Sequence, residues 1–370
     1  RGVRNAEARS SILLISTNVY KGFTARDPFS FGRPFLVQNR RLNILKPFTL
    51  DMAVLGIDLG GTKLATAVFT EDGSMIGEEV VLLDRRGGEQ VGDLIAERMQ
   101  YFLDEQSLDG DEIRSIGICV PGISYQESGT VWAPNIPGWE NYPLLATLKR
   151  SAGKLPVAID SDRACYILGE LWEGAAQGCT DAIFVAVGTG IGAGILSDGR
   201  VLRGAFESAG AVGWMALERP YFDKFDDCGN FETYASGAGI PKLAIELMAA
   251  DYTGQLRRTD GELIANDVFA AFDSGDEVAQ AVVARCIELW GMAAANLISL
   301  FNPQKLIFGG GVFGPAIRFL PEIYAEAKKW AQPVAMKQVR IEPSSLGNHA
   351  GLFGAGFLAM RNLEQKAIAE

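Results

Sequence analysis

The chain has 370 residues, of which 48% are hydrophobic and 21% are charged, and this composition indicates a globular protein long enough to bury two cores. A net charge of −11 argues against nucleic acid or an anionic membrane surface as the main partner. The single histidine, His349, excludes any site that needs two histidines, and the five cysteines lack the paired spacing of a disulfide framework.

The first 51 residues differ from the rest of the chain. They contain nine Lys and Arg against three acids and show no clear hydrophobic periodicity. A targeting peptide fits this composition, but Met52 directly before the first predicted strand favours upstream sequence or a disordered extension. Because Pro28, Pro34 and Pro47 interrupt the segment, a helix-turn-helix that binds DNA is disfavoured.

Residues 55–69 predict a strand, a tight turn and a second strand. Apolar residues lead to Asp58, Gly60 and Gly61 permit a reversal, and an apolar, β-branched run resumes afterwards. Such a turn brings backbone N–H groups close to an anion, and Thr62 adds a hydroxyl donor, so phosphate is the favoured ligand. Asp58 would repel phosphates unless a cation lay between them, which predicts Mg²⁺ held mostly through water. A plain hairpin with a solvated Asp58 is the alternative.

The next elements frame a loop rich in proline and aromatic residues. The spacing of apolar residues predicts a helix over 89–106, and a buried strand follows over 113–120. The segment from Trp132 to Trp139 contains two prolines and two tryptophans, which is typical of a rigid irregular loop. Such a loop either lines a pocket or simply packs.

A short strand over 156–160 leads through Ser161 and Asp162 into a helical pattern that begins at Arg163. A carboxylate at that position caps the helix, a role typically worth about 0.5–2 kcal/mol. At the tip of a strand the same carboxylate can accept a hydroxyl proton as a general base. Taken alone, the local sequence favours the cap.

A second copy of the opening pattern follows. A strand over 182–187 runs into the glycine turn Gly188-Thr189-Gly190-Ile191-Gly192, and a strand returns from it. Two such units predict a duplicated fold in which phosphates are held from both sides of a cleft. A strand over 305–308 runs into Gly309-Gly310-Gly311, where a flat adenosine ring can lie close to the backbone, with a plain turn as the alternative. Helices are predicted over 231–248, 277–301 and 315–330.

Five motifs therefore stand in one order: Asp58-Leu-Gly-Gly-Thr-Lys63, Gly117-Ile-Cys-Val-Pro-Gly122, Ala133-Pro-Asn-Ile-Pro-Gly-Trp139, Gly188-Thr-Gly-Ile-Gly192 and Gly309-Gly-Gly311. This ordered set resembles the ROK family (repressors, uncharacterised frames, kinases) over roughly residues 53 to 360. The resemblance implies an α/β, bilobal actin-like (ribonuclease-H-like) fold with ATP and Mg²⁺ in the central cleft. It also implies transfer of the γ-phosphoryl group to a hexose hydroxyl.

The family's functional positions carry over residue by residue. Asp162 matches the catalytic aspartate, which accepts the sugar hydroxyl proton. The resemblance implies nucleotide and phosphate contacts at Asp58, Gly60, Gly61, Thr62, Lys63, Gly188, Thr189, Gly190, Gly192, Gly309, Gly310 and Gly311, and sugar contacts at Asn135, Ser161, Asp162, Trp214 and Glu232.

Several positions depart from the family pattern. The residue before the catalytic Asp is usually Asn and is Ser161 here. The usual Glu-x-Gly-His is replaced by Ala211-Val212-Gly213-Trp214, so a carboxylate and an imidazole expected on sugar hydroxyls are missing. The cysteine-rich zinc loop is reduced to one cysteine, Cys228, with no histidine nearby, and we expect no structural zinc.

The sequence as a whole predicts a cytoplasmic glucokinase-like enzyme that phosphorylates glucose at the 6-hydroxyl. A kinase for fructose or an N-acetylhexosamine, and a catalytically weak sugar sensor of the same family, are the alternatives. No membrane span is expected, since no apolar run approaches about 20 residues. The predicted organisation is a leader (1–51), a small N-terminal lobe (52–161) completed by the C-terminal helix, and a large lobe (162–370), assembled as a homodimer.

Overall fold

The computed structural model describes residues 52–105, 112–257 and 261–369, so the predicted leader lies outside the described residues. The strands are β1 (Met52–Leu59), β2 (Lys63–Thr70), β3 (Met75–Leu82), β4 (Glu112–Val120), β5 (Ile123–Tyr125), β6 (Thr130–Trp132), β7 (Val157–Ser161), β8 (Ala182–Val187), β9 (Ile191–Ser197), β10 (Arg200–Val201), β11 (Lys305–Gly309) and β12 (Arg340–Pro343). The helices are α1 (Glu89–Glu105), α2 (Leu144–Ala152), α3 (Asp162–Glu173), α4 (Gly229–Ala235), α5 (Gly239–Leu247), α6 (Ala265–Asp273), α7 (Glu277–Phe301), α8 (Leu320–Trp330), α9 (Pro333–Met336) and α10 (Ala350–Ala369).

Two five-stranded sheets share one topology. Their strand orders are β3-β2-β1-β4-β7 and β10-β9-β8-β11-β12. In each sheet the first three strands pair antiparallel and the last two continue parallel to the central strand. Each glycine turn joins the central strand to its antiparallel neighbour, at residues 60–62 in the first sheet and 188–190 in the second. The duplication predicted from the two turns is therefore confirmed.

Each sheet buries its own apolar core. The first core lies between β1, β4 and the helices α1 and α2. The second and larger core surrounds α7, whose 25 residues have the predicted bounds. By length and composition α7 is apolar enough to cross a membrane, but 61% of its most apolar window is buried inside the protein. We therefore interpret α7 as a core helix.

Helices α3 and α10 lie between the two sheets and pack against each other. Helix α10 contacts β1 and β4, whereas α3 contacts β8 and β9. The approach is close enough to exclude side chains at two points. A Cβ on Gly354 would lie 1.9 Å from the carbonyl oxygen of Cys165, and a Cβ on Gly117 would lie 1.9 Å from that of Ala355. Backbone contact at these glycines therefore fixes both helices relative to the first sheet.

One predicted helix is divided in the structure. The segment predicted as a single helix over 231–248 forms α4 and α5, with a break at residues 236–238. At the break, the N–H groups of Gly237 and Ala238 donate to the carbonyl oxygens of Gly188 and Thr189 at 2.7 and 3.2 Å. Apolar periodicity cannot reveal this break, because the break is caused by hydrogen bonds to a turn some 50 residues earlier in the chain.

We expect Gly354→Ala to lower the free energy of unfolding by about 1–3 kcal/mol, because the new methyl group would overlap the backbone of α3. Urea titration followed by circular dichroism measures the change. Gly314→Ala is the matched control, since Gly314 has a φ of −69° and a new Cβ there would find its nearest neighbour at 3.5 Å. Equal effects of the two substitutions would contradict the close packing of α3 on α10.

Candidate active site

A cleft of about 770 Å³ opens where the parallel strands of both sheets end. Binding sites in open α/β sheets form at this edge, because loops from neighbouring strands converge there. Fourteen of the predicted site residues line the cleft. They are Asp58, Gly60, Gly61, Lys63, Asn135, Asp162, Gly188, Thr189, Gly190, Gly192, Trp214, Glu232, Gly310 and Gly311.

Three predicted residues do not line the cleft. Thr62 is exposed in the first turn, and its carbonyl oxygen accepts from the N–H of Leu83. Ser161 is the N-cap of α3, where its hydroxyl accepts from the N–H of Ala164 at 3.4 Å. Gly309 is buried at the end of β11 against the ring of Phe184.

Asp162 is the first residue of α3 and is partly buried at the cleft wall. Because Ser161 already caps the helix, the carboxylate of Asp162 is not the N-cap side chain, although it accepts from the N–H of Arg163 at 2.7 Å. Desolvation is the main cause that raises the pKa of Asp162 to about 6, and repulsion from Asp58 adds to it. The attraction of the Arg163 guanidinium opposes this rise. The carboxyl group thus titrates close to neutral pH, where a general base is most effective.

Asp58 ends the central strand of the first sheet and faces the same cleft. Its pKa is raised by desolvation, while a hydrogen bond with the Cys119 thiol and the charge of Lys63 act in the opposite direction. A Cβ on Gly351 would lie 2.6 Å from the Asp58 carboxylate, so this group sits against the first turn of α10. Two carboxylates with raised pKa values therefore share one cleft.

The two glycine turns are held by backbone hydrogen bonds. In the first turn the N–H of Gly60 donates to the carbonyl oxygen of Lys63 at 2.9 Å. In the second, the N–H of Gly188 donates to the carbonyl oxygen of Gly190 at 2.9 Å. Gly310 lies next to the second turn with a φ of +88°, and a Cβ on it would lie 2.5 Å from the carbonyl oxygen of Val187. The turns thus present exposed backbone to the cleft from both sheets.

The loop between β6 and α2, which was predicted to be rigid, is anchored by packing and lines the cleft. Trp139 is buried, stacks on Tyr142 with ring centroids 4.5 Å apart, and donates its indole N–H to the carbonyl oxygen of Gly88. This anchoring leaves Asn135 exposed, with its Cβ 3.6 Å from the position that a Cβ on Gly61 would take. Asn135 is therefore held beside the first glycine turn.

Glu232 and Trp214 form the opposite wall. Glu232 lies in α4 and accepts from the N–H of Ile191 at 2.5 Å, and burial raises its pKa. A Cβ on Gly213 would lie 2.7 Å from the Glu232 carboxylate, so the chain that carries Trp214 runs directly past it. The indole of Trp214 is 54% exposed. An exposed indole thus stands where an imidazole was expected, and Glu232, itself a predicted sugar contact, does not replace the carboxylate missing at Ala211.

The structure adds cleft residues that the motifs did not reveal. The guanidinium of Arg163 donates to the carbonyl oxygens of Gly122 and Ser208, at 3.1 and 3.5 Å, and so links loops that follow strands of the two sheets. Asn348 lines the cleft just before α10. Arg163 follows Asp162 in sequence, but only the fold shows that its side chain turns back across the cleft.

The segment that carries Asn348 is held by a buried carboxylate, that of Glu170, which no sequence motif indicated. Glu170 of α3 is fully buried and accepts hydrogen bonds from the hydroxyl groups of Ser344 and Ser345 and from the N–H of Ala175. These bonds tie the segment before α10 to the helix that begins with Asp162.

The acidic residues of the cleft fit a water-held magnesium ion. Neither Asp58 nor Asp162 has an arginine ion-pair partner among the described residues, and a nearby cation would offset the desolvation that raises the pKa values of both. The residues do not fit a zinc ion: no group of three or more His, Cys, Asp or Glu side chains within residues 52–105, 112–257 and 261–369 is placed to hold a metal. Cys228 instead contacts the hydroxyl of Thr233 at 3.4 Å.

Comparison with known proteins matches this chain to a family whose members include sugar kinases and repressors. The ROK family model matches residues 54–362. A glucokinase of Halalkalibacterium halodurans is 32% identical over 83% of this chain and 95% of its own length, and a beta-glucoside kinase of Listeria monocytogenes is 30% identical over 82% and 96%. A ROK glucokinase of Streptomyces griseus, solved with glucose and AMPPNP, superposes with a TM-score of 0.67 and is 28% identical, covering 84% of this chain and 99% of that one.

These likenesses confirm the predicted bilobal actin-like fold, since they extend over both sheets and the cleft between them. The chain belongs to the ROK family, and its relatives include sugar kinases.

Proposed function

We propose that this protein catalyses the ATP-dependent phosphorylation of a hexose, with glucose at its 6-hydroxyl as the first candidate. The observation that carries the proposal is Asp162, a carboxylate whose pKa is raised to about 6 and which faces a cleft bounded by two glycine turns. Glucose and AMPPNP in the Streptomyces griseus relative support the choice of sugar and phosphate donor.

Each wall of the cleft has a distinct role in this proposal. Asp162 accepts the proton of the attacking hydroxyl, while Asn135, Glu232 and Trp214 orient the sugar ring. Backbone N–H groups of the two turns other than those of Gly60, Gly188 and Ile191 bind phosphate oxygens, where negative charge develops during transfer. Gly310 and Gly311 leave room for the adenosine.

Asp58 would hold Mg²⁺ through water, and the ion would supply positive charge to the β- and γ-phosphates. The raised pKa values of Asp58 and Asp162 support this assignment, because a nearby cation lowers both. Closure of the two halves over the cleft would exclude water from the transfer. A cytoplasmic location and a homodimeric assembly belong to the same proposal.

The identity of the sugar is open to two alternatives. Ala211 and Trp214 replace a carboxylate and an imidazole, and each lost hydrogen bond to a charged partner is worth roughly 1.5–3 kcal/mol. Trp214 can donate one hydrogen bond but accepts none. These replacements favour either another hexose or amino sugar, such as fructose or an N-acetylhexosamine, or a weakly catalytic sugar sensor.

A coupled assay of ADP release with ATP and Mg²⁺ tests the proposal. Glucose, fructose, mannose, glucosamine, N-acetylglucosamine and N-acetylmannosamine are offered in turn, and we expect sugar-dependent release with at least one. Asp162→Ala should reduce kcat by at least about 100-fold, because general-base catalysis typically contributes 10²–10⁴. No release with any sugar, while ATP still binds, would contradict the kinase and favour the sensor.

The rate should depend on pH through Asp162. Only the ionised carboxylate accepts a proton, so kcat/KM should rise about tenfold per pH unit below pH 6 and level off above it. Initial rates between pH 5 and 8.5, at subsaturating sugar and subsaturating Mg-ATP, measure this profile for the free enzyme. A flat profile over that range would exclude Asp162 as the titrating base.

The same carboxylate should cost stability. Between pH 4 and 6 the folded state holds the Asp162 proton longer than the unfolded chain, so the free energy of unfolding falls as pH rises through this window. Asp162→Asn should therefore stabilise the protein by about 1–3 kcal/mol at pH 7.5 and by little at pH 4.

Urea titration at both pH values tests this expectation, with Asp160→Asn as the control. Asp160 is buried and paired with Arg203, so its substitution should destabilise the protein at pH 7.5. If both substitutions lowered the free energy of unfolding, the ionised carboxylate of Asp162 would not be destabilising the folded protein.

A further inference from the structure

A second cavity, of about 720 Å³, lies beside the cleft and shares Trp214 with it. Its volume is within the range of about 300–1,000 Å³ typical of small-molecule sites. It is formed by the chain between Trp214 and α4, in the segment where the family's zinc loop is degenerate. The proposed function involves only the cleft and not this second cavity.

Trp214 is suited to contact ligands on both sides. Its indole is 54% exposed, and its N–H has no hydrogen-bond partner within the described parts of the chain. The neighbouring Gly229, with a φ of +79°, lies so close that a Cβ would be 2.4 Å from the Cα of Trp214. The backbone that carries the indole is therefore held firmly at the junction.

The second cavity combines aromatic surface with polar groups of both signs. Tyr221 is 69% exposed, and its ring packs edge-on against the buried ring of Phe225, with centroids 5.9 Å apart. Its hydroxyl donates to Asp226, which fixes the ring at the cavity wall. The guanidinium of Arg219 makes no hydrogen bond or ion pair to any described residue, so it is available to a ligand.

This lining favours a neutral polyhydroxylated ligand. Aromatic rings offer flat apolar surface to the C–H faces of a sugar, and mixed donors and acceptors suit its hydroxyls. Two carboxylates line the same cavity, Asp226 and the Arg285-paired Glu218, and they disfavour a free anion. A purely apolar ligand would cover the Arg219 guanidinium without giving it a partner.

We propose that this cavity is a subsite for the second unit of a glycoside whose first hexose occupies the cleft. The proposal rests on the proposed function and names its substrate class: a disaccharide or other glycoside phosphorylated on the hexose next to Asp162. Trp214, in place of an imidazole, separates the two units and contacts both. The leaving group and the proton acceptor of the transfer remain ADP and Asp162.

Calorimetric titration of the full chain with glucose, cellobiose and maltose tests the subsite. We expect at least one disaccharide to bind about tenfold more tightly than glucose. Tyr221→Ala should remove this advantage and leave the affinity for glucose unchanged, because Tyr221 lies outside the cleft. Phe222→Ala is the matched control: Phe222 is exposed and packs on Phe225 at 5.7 Å as Tyr221 does, but it does not line the cavity.

The outcomes separate this inference from the function on which it rests. A disaccharide that binds no better than glucose, or an equal loss in Tyr221→Ala and Phe222→Ala, would overturn the subsite even if glucose is phosphorylated. Disaccharide binding that Tyr221→Ala alone weakens would support the subsite even if the ADP-release assay, extended to cellobiose and maltose, detects no transfer, and the kinase proposal would then fail by itself.

Discussion

Backbone contact between α3, α10 and the first sheet determines where the chemistry of this protein lies. Gly354 and Gly117 allow α10 to touch α3 and β4 without intervening side chains. The first residue of α3 is Asp162, and the first turn of α10 rests on Asp58. The spacing of the two carboxylates is thus set by backbone packing, which allows less movement than rotation about their own side-chain bonds. A methyl group on Gly354 would have to move the backbone of α3, which carries Asp162, and one on Gly117 would have to move α10, whose first turn rests on Asp58.

The electrostatics of the cleft oppose stability in a way that suits phosphoryl transfer. Desolvation raises the pKa values of Asp58, Asp162 and Glu232, so the surroundings of the cleft disfavour the ionised form of these three carboxylates. By contrast, the buried Asp160 has Arg203 as its partner, although it stands only two residues before Asp162. The protein therefore pairs Asp160 with a cation, whereas Asp162, the proposed base, has no ion-pair partner among the described residues. Differences of this kind mark functional sites, because a carboxylate needed only for folding would be paired.

Much of the fold could be predicted because it depends on local patterns. The bounds of α7 follow from a long apolar period, and the duplication follows from two glycine turns, which have little other reason to recur. The division of α4 from α5 could not be predicted, since it depends on hydrogen bonds to Gly188 and Thr189. The position of Glu170 was equally hidden, because a carboxylate in a helical pattern normally faces solvent, whereas this one accepts from a distant loop.

The site divides along the same line. The glycine turns and Asp162 could be predicted from local sequence motifs. Ser161 was assigned to the sugar because it stands beside Asp162, but the structure places it in the N-cap of α3. The second cavity has no motif at all, because it is formed by the folding of a loop around Phe225.

The hydrogen bond from the N–H of Ile191 to Glu232 couples the binding of the two substrates of the proposed reaction. In the proposed function Glu232 contacts the acceptor sugar, whereas Ile191 belongs to the turn that holds the donor phosphates; both residues line the cleft. A ligand that reorients this carboxylate changes the energy of the turn, and by reciprocity a nucleotide on the turn changes the affinity for the acceptor by the same factor. Evolution of a new acceptor specificity at this wall would therefore retune nucleotide affinity as well, since one hydrogen bond serves both.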